Sequence, residues 1–291
     1  MTKNRTRRSI IVLVVLILLT IAAALVACVV GQVHATPHDV TNTILMSWGV
    51  KSDGTTPRIV TSTLWEVRFP RLVIALAVGA GLGCAGALLQ GIFANPLAEP
   101  SIIGVSSGGA VFASGLLAIA SLAGVERSYG FLKWGTALAA FIGALLTTLL
   151  VYSLSRVQGK TVVVNLILVG VAINAMAGGF VTLFSFIGGT MAQSQVVFWQ
   201  LGSLAGAGWS SAVITLIITV IGIVIACLCA PKMDLLALGE NQARHLGVNV
   251  ERFRLCVIIL VAALVGVGVA FAGVIAFVGL IVPHAIRLII C

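Results

Sequence analysis

The composition of this 291-residue chain is that of a membrane protein. Apolar residues make up 60% of the sequence and charged residues only 9%, whereas a soluble domain needs about 25% charged residues to cover its surface. A water-soluble globular protein is therefore excluded. The net charge of +9 does not indicate nucleic-acid binding, because the basic residues fall in short clusters between apolar runs, as they do in orientation signals of membrane proteins.

Seven apolar runs are long enough to cross the hydrocarbon core, which takes about 20 helical residues. The first run follows a basic N-terminus and resembles a signal peptide. Its length and the lack of a clear small-residue cleavage site favour an uncleaved helix. An eighth apolar piece, 275–291, is shorter and is interrupted by Pro283 and His284. The seven runs are 9–33, 72–94, 102–123, 134–154, 162–187, 211–230 and 255–274.

The basic residues favour a cytoplasmic N-terminus. With alternating spans, ten lie on the inner side and six on the outer side, which agrees with the excess of Lys and Arg in cytoplasmic segments. We therefore predict that loop 34–71 is external and that loop 231–254 is cytoplasmic. The inner residues are Lys3, Arg5, Arg7, Arg8, Arg156, Lys160, Lys232, Arg244, Arg252 and Arg254, and the outer ones are Lys51, Arg58, Arg68, Arg71, Arg127 and Lys133.

Segment 79–109 is crowded with small residues and holds two GxxxG pairs, Gly79/Gly83 and Gly104/Gly108. Such pairs allow helix backbones to approach each other closely. Between them, segment 95–100 contains two prolines, which prevent a continuous helix. A break of this kind at membrane depth must be buried in protein or line an aqueous cavity. An ordinary cytoplasmic turn explains the same residues equally well.

The long cytoplasmic loop 231–254 is predicted to contain two short helices. Asp234 is placed to cap the first, Gly239 to end it, and residues 240–246 form the second. Their apolar faces imply a docked partner or contact with the lipid interface.

An uncharged external stretch, 188–210, follows the fifth span. It contains Trp199 and Trp209 among glycine, serine and glutamine residues. Tryptophan is enriched at the headgroup level of membranes. We predict an interfacial helix here, with both tryptophans at that level.

Neither the cysteines nor the histidines indicate a metal or redox site. The six cysteines lie in or at the ends of apolar stretches without a CxxC pair, where small core residues are expected. The four histidines are scattered over three regions and form no pair at metal-ligand spacing. These residues are Cys28, Cys84, Cys227, Cys229, Cys256, Cys291, His34, His38, His245 and His284.

Five ordered blocks of this sequence resemble the permease family that imports ferric siderophores, haem and cobalamin through ATP-driven type II importers. The resemblance runs from about residue 60 to the end of the sequence. Blocks of this length, in this order, are a specific signal. They are WEVRFPR at 65–71, GALLQGIFANPLAEPSIIGVSSG at 86–108, WQLGSL at 199–204, LGENQARHLG at 238–247 and FVGLIVPHAIRL at 277–288.

The resemblance implies an all-α, polytopic transmembrane helical bundle that forms a single permease domain over 1–291. The family has ten spans, of which about seven to eight are present here. Its members continue past the block at 277–288. We therefore expect the family's C-terminal spans, with a further arginine of its outer docking surface, to be missing from these 291 residues.

The resemblance also implies a non-catalytic subunit of a larger assembly in the cytoplasmic membrane. A second copy of the permease, two cytoplasmic ATPase subunits, an extracytoplasmic substrate-binding protein and membrane lipid are the expected partners, without nucleic acid. The chain is expected to bind no cofactor and no metal. ATP is used by the partner subunit, and the sequence has no phosphate-binding P-loop.

Three groups of site residues follow from the resemblance. Arg68 and Arg71 are implied to meet acidic residues of the binding protein, since guanidinium pairs bidentately with carboxylates, with anchoring at the membrane interface as the alternative. The ATPase-coupling group, which a solvated loop would also explain, is Gly239, Glu240, Ala243, Arg244, Leu246 and Gly247. The pathway or packing group, in which the role of the glutamate as gate or scaffold stays open, is Gln90, Asn95, Pro96, Glu99, Gly104 and Gly108.

The expected substrate is an iron chelate, either a ferric siderophore or haem, and cobalamin is the alternative. A secondary transporter is the rival from another class. It would need ionisable residues in the middle of its spans, and the charges of this chain lie at span ends and in loops. A membrane enzyme would need a cluster of acidic, histidine or serine residues facing one side, which is also absent from the sequence.

Overall fold

A computed structural model describes residues 2–49, 54–124 and 129–290. The described chain is helical apart from its loops and one short two-stranded hairpin, which confirms the all-α expectation. Lys51 and Arg127, two of the outer basic residues counted above, lie outside the described residues. The helices are α1 Thr2–Val29, α2 Pro37–Ser47, α3 Arg58–Thr63, α4 Phe69–Ile92, α5 Val105–Leu122, α6 Tyr129–Leu154, α7 Val163–Ile187, α8 Gly189–Leu201, α9 Trp209–Ala237, α10 Glu240–His245, α11 Val250–Ala272 and α12 Val278–Ile290, and the hairpin strands are β1 Arg156–Val157 and β2 Lys160–Thr161.

All seven predicted spans are confirmed, since seven helices of the described chain are long and apolar enough to cross a membrane. Two of them extend far beyond the predicted bounds. The second begins at Arg58 rather than at residue 72, because α3, a π-helical turn at Leu64–Arg68 and α4 run on as one helix. The sixth, α9, continues through Pro231 to Ala237. The eighth apolar piece forms the shorter helix α12.

The centre of the bundle is formed by α4 and α11. Ile74 and Leu89 on α4, and Val257 and Val261 on α11, are all fully buried and belong to one continuous core. The first helix differs, since none of its most apolar stretch is buried. An apolar helix face without protein neighbours is stable only against lipid, so α1 lies at the periphery.

Glycines bring several helices into backbone contact. A Cβ atom at Gly108 would lie 2.5 Å from the carbonyl oxygen of Gly143 on α6, and one at Gly86 would overlap the carbonyl of Gly279 on α12. Close packing at the second GxxxG pair is therefore confirmed at Gly108. At the first pair no backbone lies this close, since a Cβ at Gly79 would meet nothing within 4 Å and one at Gly83 would lie 3.7 Å from a methyl carbon of Val282.

The helix predicted at the outer interface, α8, instead re-enters the bundle. The ring of Trp199 lies 3.5 Å from the Cβ position of Gly109, and Gly109 is 13 residues from the outer end of α5, or about 20 Å of helix. The prediction that Trp199 lies at headgroup level is therefore wrong, because its ring packs between α5 and α11. Trp209 donates from its indole nitrogen to the carbonyl of Trp65 at 2.8 Å.

Two non-helical segments meet where α8 and α11 end. Ser203 N donates to Ala272 O at 2.7 Å, and Val274 N donates to Trp199 O at 3.2 Å. A Cβ atom on Gly273 would overlap the Trp199 carbonyl, so this approach requires glycine. The mutual hydrogen bonds satisfy backbone groups that would be costly to leave unpaired inside a membrane.

The sequence left open whether the break at 95–100 belongs to the bundle or is an ordinary turn at its surface. In the structure, the chain passes back into the bundle directly after this break. The 3₁₀ turn Pro100–Ile103 follows it. The carbonyl of Ile102 touches the backbone of Gly170 so closely that a Cβ there would overlap it. Gly170 is seven residues inside α7, or about 10 Å from the inner end of that helix.

Candidate functional site

A groove lined by uncharged polar and apolar residues opens in the middle of the bundle, between α5, α7, the 3₁₀ turn before α5, the end of α8 and Val274. Its volume is about 340 Å³. Asn174 lies 11 residues from the inner end of α7 and 13 from the outer end, or about 16 and 20 Å along the helix. The groove therefore lies at the mid-depth of the spans. It is lined by Ser101, Ser106, Ser107, Ala110, Asn174, Ala177, Gly178, Val181, Gln200 and Val274.

The groove's polar groups form a network without charge. The hydroxyl of Ser107 donates to Asn174 Oδ1 at 2.6 Å, and Asn174 Nδ2 donates to the carbonyl of Ser101 at 3.2 Å. Polar side chains at this depth need partners or water. The arrangement offers hydroxyl and amide groups to a solute without holding it through an ion pair.

The buried amide of Gln90 joins α4 to α12. Its side chain is only 3% exposed. Nε2 donates to the carbonyl of Leu280 at 3.2 Å, and Oε1 accepts from Arg287 Nη1 at 2.7 Å. Gln90 is thus a packing residue, and its partner Arg287 had no assigned place in the sequence prediction.

The carboxylate of Glu99 holds the start of α12. Its Oε1 accepts the backbone N–H of Phe277 at 2.9 Å. Phe277 has a φ of +66°, an unusual backbone conformation for a bulky residue. This contact gives Glu99 a scaffolding role in the described structure.

The other predicted pathway residues shape the turn before α5. Asn95 Oδ1 accepts the N–H of Leu97 at 2.9 Å within a local turn, and Pro96 is exposed. Gly104 has a φ of +81° at the start of α5, which L side chains rarely adopt. Of the six predicted residues, none lines the groove.

The predicted coupling residues form one small unit at the inner surface. The second predicted short helix is confirmed as α10, and Ala243 is its fully buried contact with the core. The first is wrong, because Asp234 lies inside α9, which runs on past Pro231. The predicted break at Gly239 is confirmed, with a φ of +117°.

Two faces of the coupling unit differ in character. Arg244 and Gly247 are exposed, as is Leu246, with 60% of its surface accessible. Glu240 is also exposed, over 48% of its side chain, while its Oε1 lies 2.6 Å from Nη2 of the buried Arg254. Its other oxygen is 3.7 Å from Arg244. The unit therefore has one side bound to the spans and one side open.

At the outer end of the second span, the two predicted docking arginines point in different directions. Arg68 is only 9% exposed, and its guanidinium donates to the carbonyls of Cys28, Val29 and Val33 at the end of α1. Arg71 is exposed. Of these two residues, only Arg71 offers the exposed guanidinium that docking requires.

The sequence prediction missed the groove and the buried Arg254. Asn174 lies in the middle of a long apolar run, and an amide in that position is a signal that could have been used. Arg254 was counted only as an inner charge. Nothing local distinguishes it from the exposed Arg252, two residues earlier.

Comparison with known proteins identifies relatives. The chain is 36% identical over 227 residues to the hemin transport system permease protein HmuU of Yersinia pestis, covering 77% of this chain and 66% of that protein. It is 38% identical over 224 residues to the cobalamin import system permease protein BtuC of Halobacterium salinarum, covering 77% of this chain and 58% of that protein. The chain therefore spans less than two thirds of the length of these curated relatives.

A solved structure agrees with these relatives. The chain is similar to an inward-facing metal-chelate type ABC transporter, with a TM-score of 0.77 and 30% sequence identity. The match covers 95% of this chain and 80% of that chain. The family model described as the FecCD transport family matches residues 11–291. The chain is thus a multi-pass membrane protein of the permease kind rather than a catalytic subunit, and it belongs to the FecCD transport family.

Proposed function

We propose that this chain is the permease subunit of an ATP-binding-cassette importer that carries an iron chelate, a ferric siderophore or haem, across the cytoplasmic membrane. Cobalamin is the second candidate. Relatives named for hemin and for cobalamin match it at 36% and 38% identity, so identity does not separate the two cargoes. The proposal rests above all on the uncharged polar groove at mid-depth.

The groove supports transport of a bulky solute. Hydroxyl and amide groups replace some of the water around a polar solute, and the absence of fixed charge from the residues that line it keeps binding weak enough for release. The groove is open on one side of this single chain. A second copy facing it, in a homodimer, would complete a pathway with polar walls on both sides.

The coupling unit supports an ATPase partner. Leu238 and Leu246 are each at least 60% exposed, beside the exposed Arg244. Exposed apolar residues next to a charge are the composition of a protein docking surface. In this proposal α10 sits in a cleft of the cytoplasmic ATPase, and Arg71 meets an acidic residue of the extracytoplasmic binding protein at the other face.

Reconstitution tests the proposal. The full-length protein is placed in proteoliposomes with its cognate ATPase and binding protein, and uptake of haem, a ferric siderophore and cobalamin is measured with and without ATP. Uptake of one chelate that requires ATP is expected. Uptake driven by an ion gradient without ATP would instead identify a secondary transporter.

A groove variant tests the pathway. Asn174→Leu removes the bonds to Ser107 and Ser101 and is expected to reduce ATP-driven uptake. Val171→Leu is the matched control on the same helix, because Val171 is 58% exposed and is absent from the groove lining. Equal uptake by Asn174→Leu and the unmodified protein would remove the groove from the pathway.

A further inference from the structure

The largest fully buried side chain in the described part of the molecule is a charged one, Arg254, which is 2% exposed. It lies in the first turns of α11, at the inner end of the bundle. Burying a guanidinium is costly, and a buried ion pair is seldom a net stabiliser compared with apolar side chains of similar volume. The position of its partners indicates what the residue contributes instead.

Arg254 contacts two other elements and one residue of its own helix. Its Nη2 lies 2.6 Å from Glu240 at the start of α10 and donates to the carbonyl of Ile92 at 3.4 Å, at the end of α4. Its Nη1 lies 3.4 Å from Glu251 on α11. Its Nε has no hydrogen-bond partner within the described residues, so the guanidinium is not placed for maximal bonding.

The two residues that Arg254 joins, Glu240 and Ile92, have different surroundings. Glu240 starts a six-residue helix whose outer side is exposed. Ile92 is the last residue of α4, directly before the turn that leads to Glu99, and Glu99 in turn holds the start of α12 through Phe277. Arg254 therefore connects the exposed cytoplasmic helix to the break between α4 and α5.

Glu251 is the third partner of Arg254, and it is itself held in place by the hairpin. Its Oε2 accepts from both the hydroxyl and the N–H of Thr161, on the cytoplasmic hairpin, at 2.7 and 3.2 Å. The carboxylate is thus fixed by two donors besides Arg254. A guanidinium has several donors in a planar fork and can bind the carboxylates of Glu251 and Glu240 and the carbonyl of Ile92 at the same time. A single ammonium group cannot do this.

We propose that Arg254 is a positioning residue that transmits displacement of the ATPase-bound helix α10 to the end of α4 and the turn at 93–99. The proposal rests on the assignment of α10 as the ATPase contact. In it, the partly exposed Glu240 ties α10 to Arg254 inside the permease. The exposed Arg244 and Leu246 make the contact with the ATPase, and Arg254 carries the movement inward.

Pairs of spin labels on the full-length protein, assembled with its cognate ATPase, test this. One pair joins position 245 on α10 to position 164 at the inner end of α7, and a second joins position 97 in the turn to the same reference. Native His245, Val164 and Leu97 are all exposed. Distances are compared without nucleotide and with ATP plus vanadate.

The unmodified protein is expected to show a nucleotide-dependent shift in both distances. In Arg254→Met the shift at 245 is expected to persist while the shift at 97 is lost. The substrate-stimulated ATPase rate should fall by about two- to thirtyfold, the range over which residues in coupling networks alter the coupling between sites. Arg254→Lys keeps the positive charge but loses the forked donors, so its distance change at position 97 should be intermediate. This variant replaces Arg254→Met in the test if the methionine variant does not fold.

Arg252→Met is the matched control, since Arg252 is an exposed arginine on the same turn, and both of its shifts should be retained. An unchanged shift at 97 in Arg254→Met would overturn the proposal, as would a native complex in which nucleotide moves neither label. Failure of the ATPase to bind the unmodified protein would instead contradict the proposed function, so the two failures are distinguishable.

Discussion

The guanidinium of Arg68 donates to the carbonyl of Val29 at 3.2 Å and closes the end of the first helix. The last carbonyls of a helix have no partner within it, and a cation at that end also favours the helix dipole. A Cβ at Gly31 would lie 2.6 Å from Arg68 Nη2, so the chain leaves room for this contact. Because α1 is otherwise peripheral, Arg68 is its main polar attachment to the bundle.

Replacing Arg68 is therefore expected to loosen α1. Hydrogen bonds to charged groups contribute about 1.5–3 kcal/mol each, so Arg68→Met should lower the melting temperature in detergent and make α1 easier to cleave with protease. Arg71→Met, on the same helix, is the control and should leave both unchanged. Equal protease sensitivity of the two variants would contradict the attachment.

Arg71→Glu is expected to weaken association with the extracytoplasmic binding protein. An exposed ion pair is worth about 0–1 kcal/mol, so the affinity should fall by about fivefold or less and should depend on salt. Affinity is measured by surface plasmon resonance on folded protein in nanodiscs. If Arg68→Met lowered the affinity per folded molecule and Arg71→Glu did not, Arg68 rather than Arg71 would be the docking residue.

Two glycines on α4 give a matched pair for close packing. Gly86→Ala forces a methyl group into the backbone of Gly279, and overpacking of this kind costs about 1–3 kcal/mol. Gly79→Ala adds the same methyl group where nothing lies within 4 Å and should be neutral or slightly stabilising. Thermal unfolding of both variants measures the difference, and equal melting temperatures would contradict the contact between α4 and α12.

The start of α2 should respond to acid. Thr36 donates its backbone N–H and its hydroxyl to the Asp39 carboxylate, both at 2.8 Å, and the backbone bond first and the hydroxyl second lower the pKa of Asp39. Because the folded pKa is depressed, the stabilising contribution is complete above the unfolded value of about 3.9 and is lost as the pH falls through the folded pKa.

Hydrogen exchange of the α2 amides tests this. At pH 6 the unmodified protein should show slower exchange than Asp39→Asn, and the difference should shrink once the pH is below about 3.9. Thr41→Val, on the exposed side of the same helix, is the control that keeps the cap. A difference that stayed constant down to pH 2 would show that the charge of Asp39 does not matter.

The orientation of the chain remains a prediction from its charges. In a cysteine-free variant, cysteine introduced at position 58 should react with a membrane-impermeant reagent from outside, and cysteine at position 245 only after the membrane is opened. Both positions are exposed. Reaction of position 245 in intact cells would reverse the topology.

The spans were predictable because hydropathy is a local property of the sequence. Each apolar run long enough to cross a bilayer became a helix, whatever its neighbours. The re-entry of α8 was not predictable in this way, since it depends on Trp199 finding space beside Gly109. The continuation of α9 through Pro231 was not predicted, because a proline usually ends a helix.

The candidate site was predicted less completely than the spans. Family resemblance selected Gln90, Glu99 and Glu240, but their partners are distant in sequence and no local pattern connects them. Gln90 meets a residue 197 positions later, and Glu240 meets one 14 positions later. The groove itself is built from hydroxyl and amide groups on four separate elements, which carry no motif.

The segments that meet at Trp199 and Val274 make the wall beside the groove out of main chain. Main-chain hydrogen bonds do not change when side chains are exchanged, so the width of the opening at this level is set by backbone geometry and by Gly273. Variation in what the groove admits would then come from the side chains that line it, such as Asn174 and Gln200. A protein built in this way can accept a new cargo through a few side-chain substitutions in the groove while its backbone stays the same.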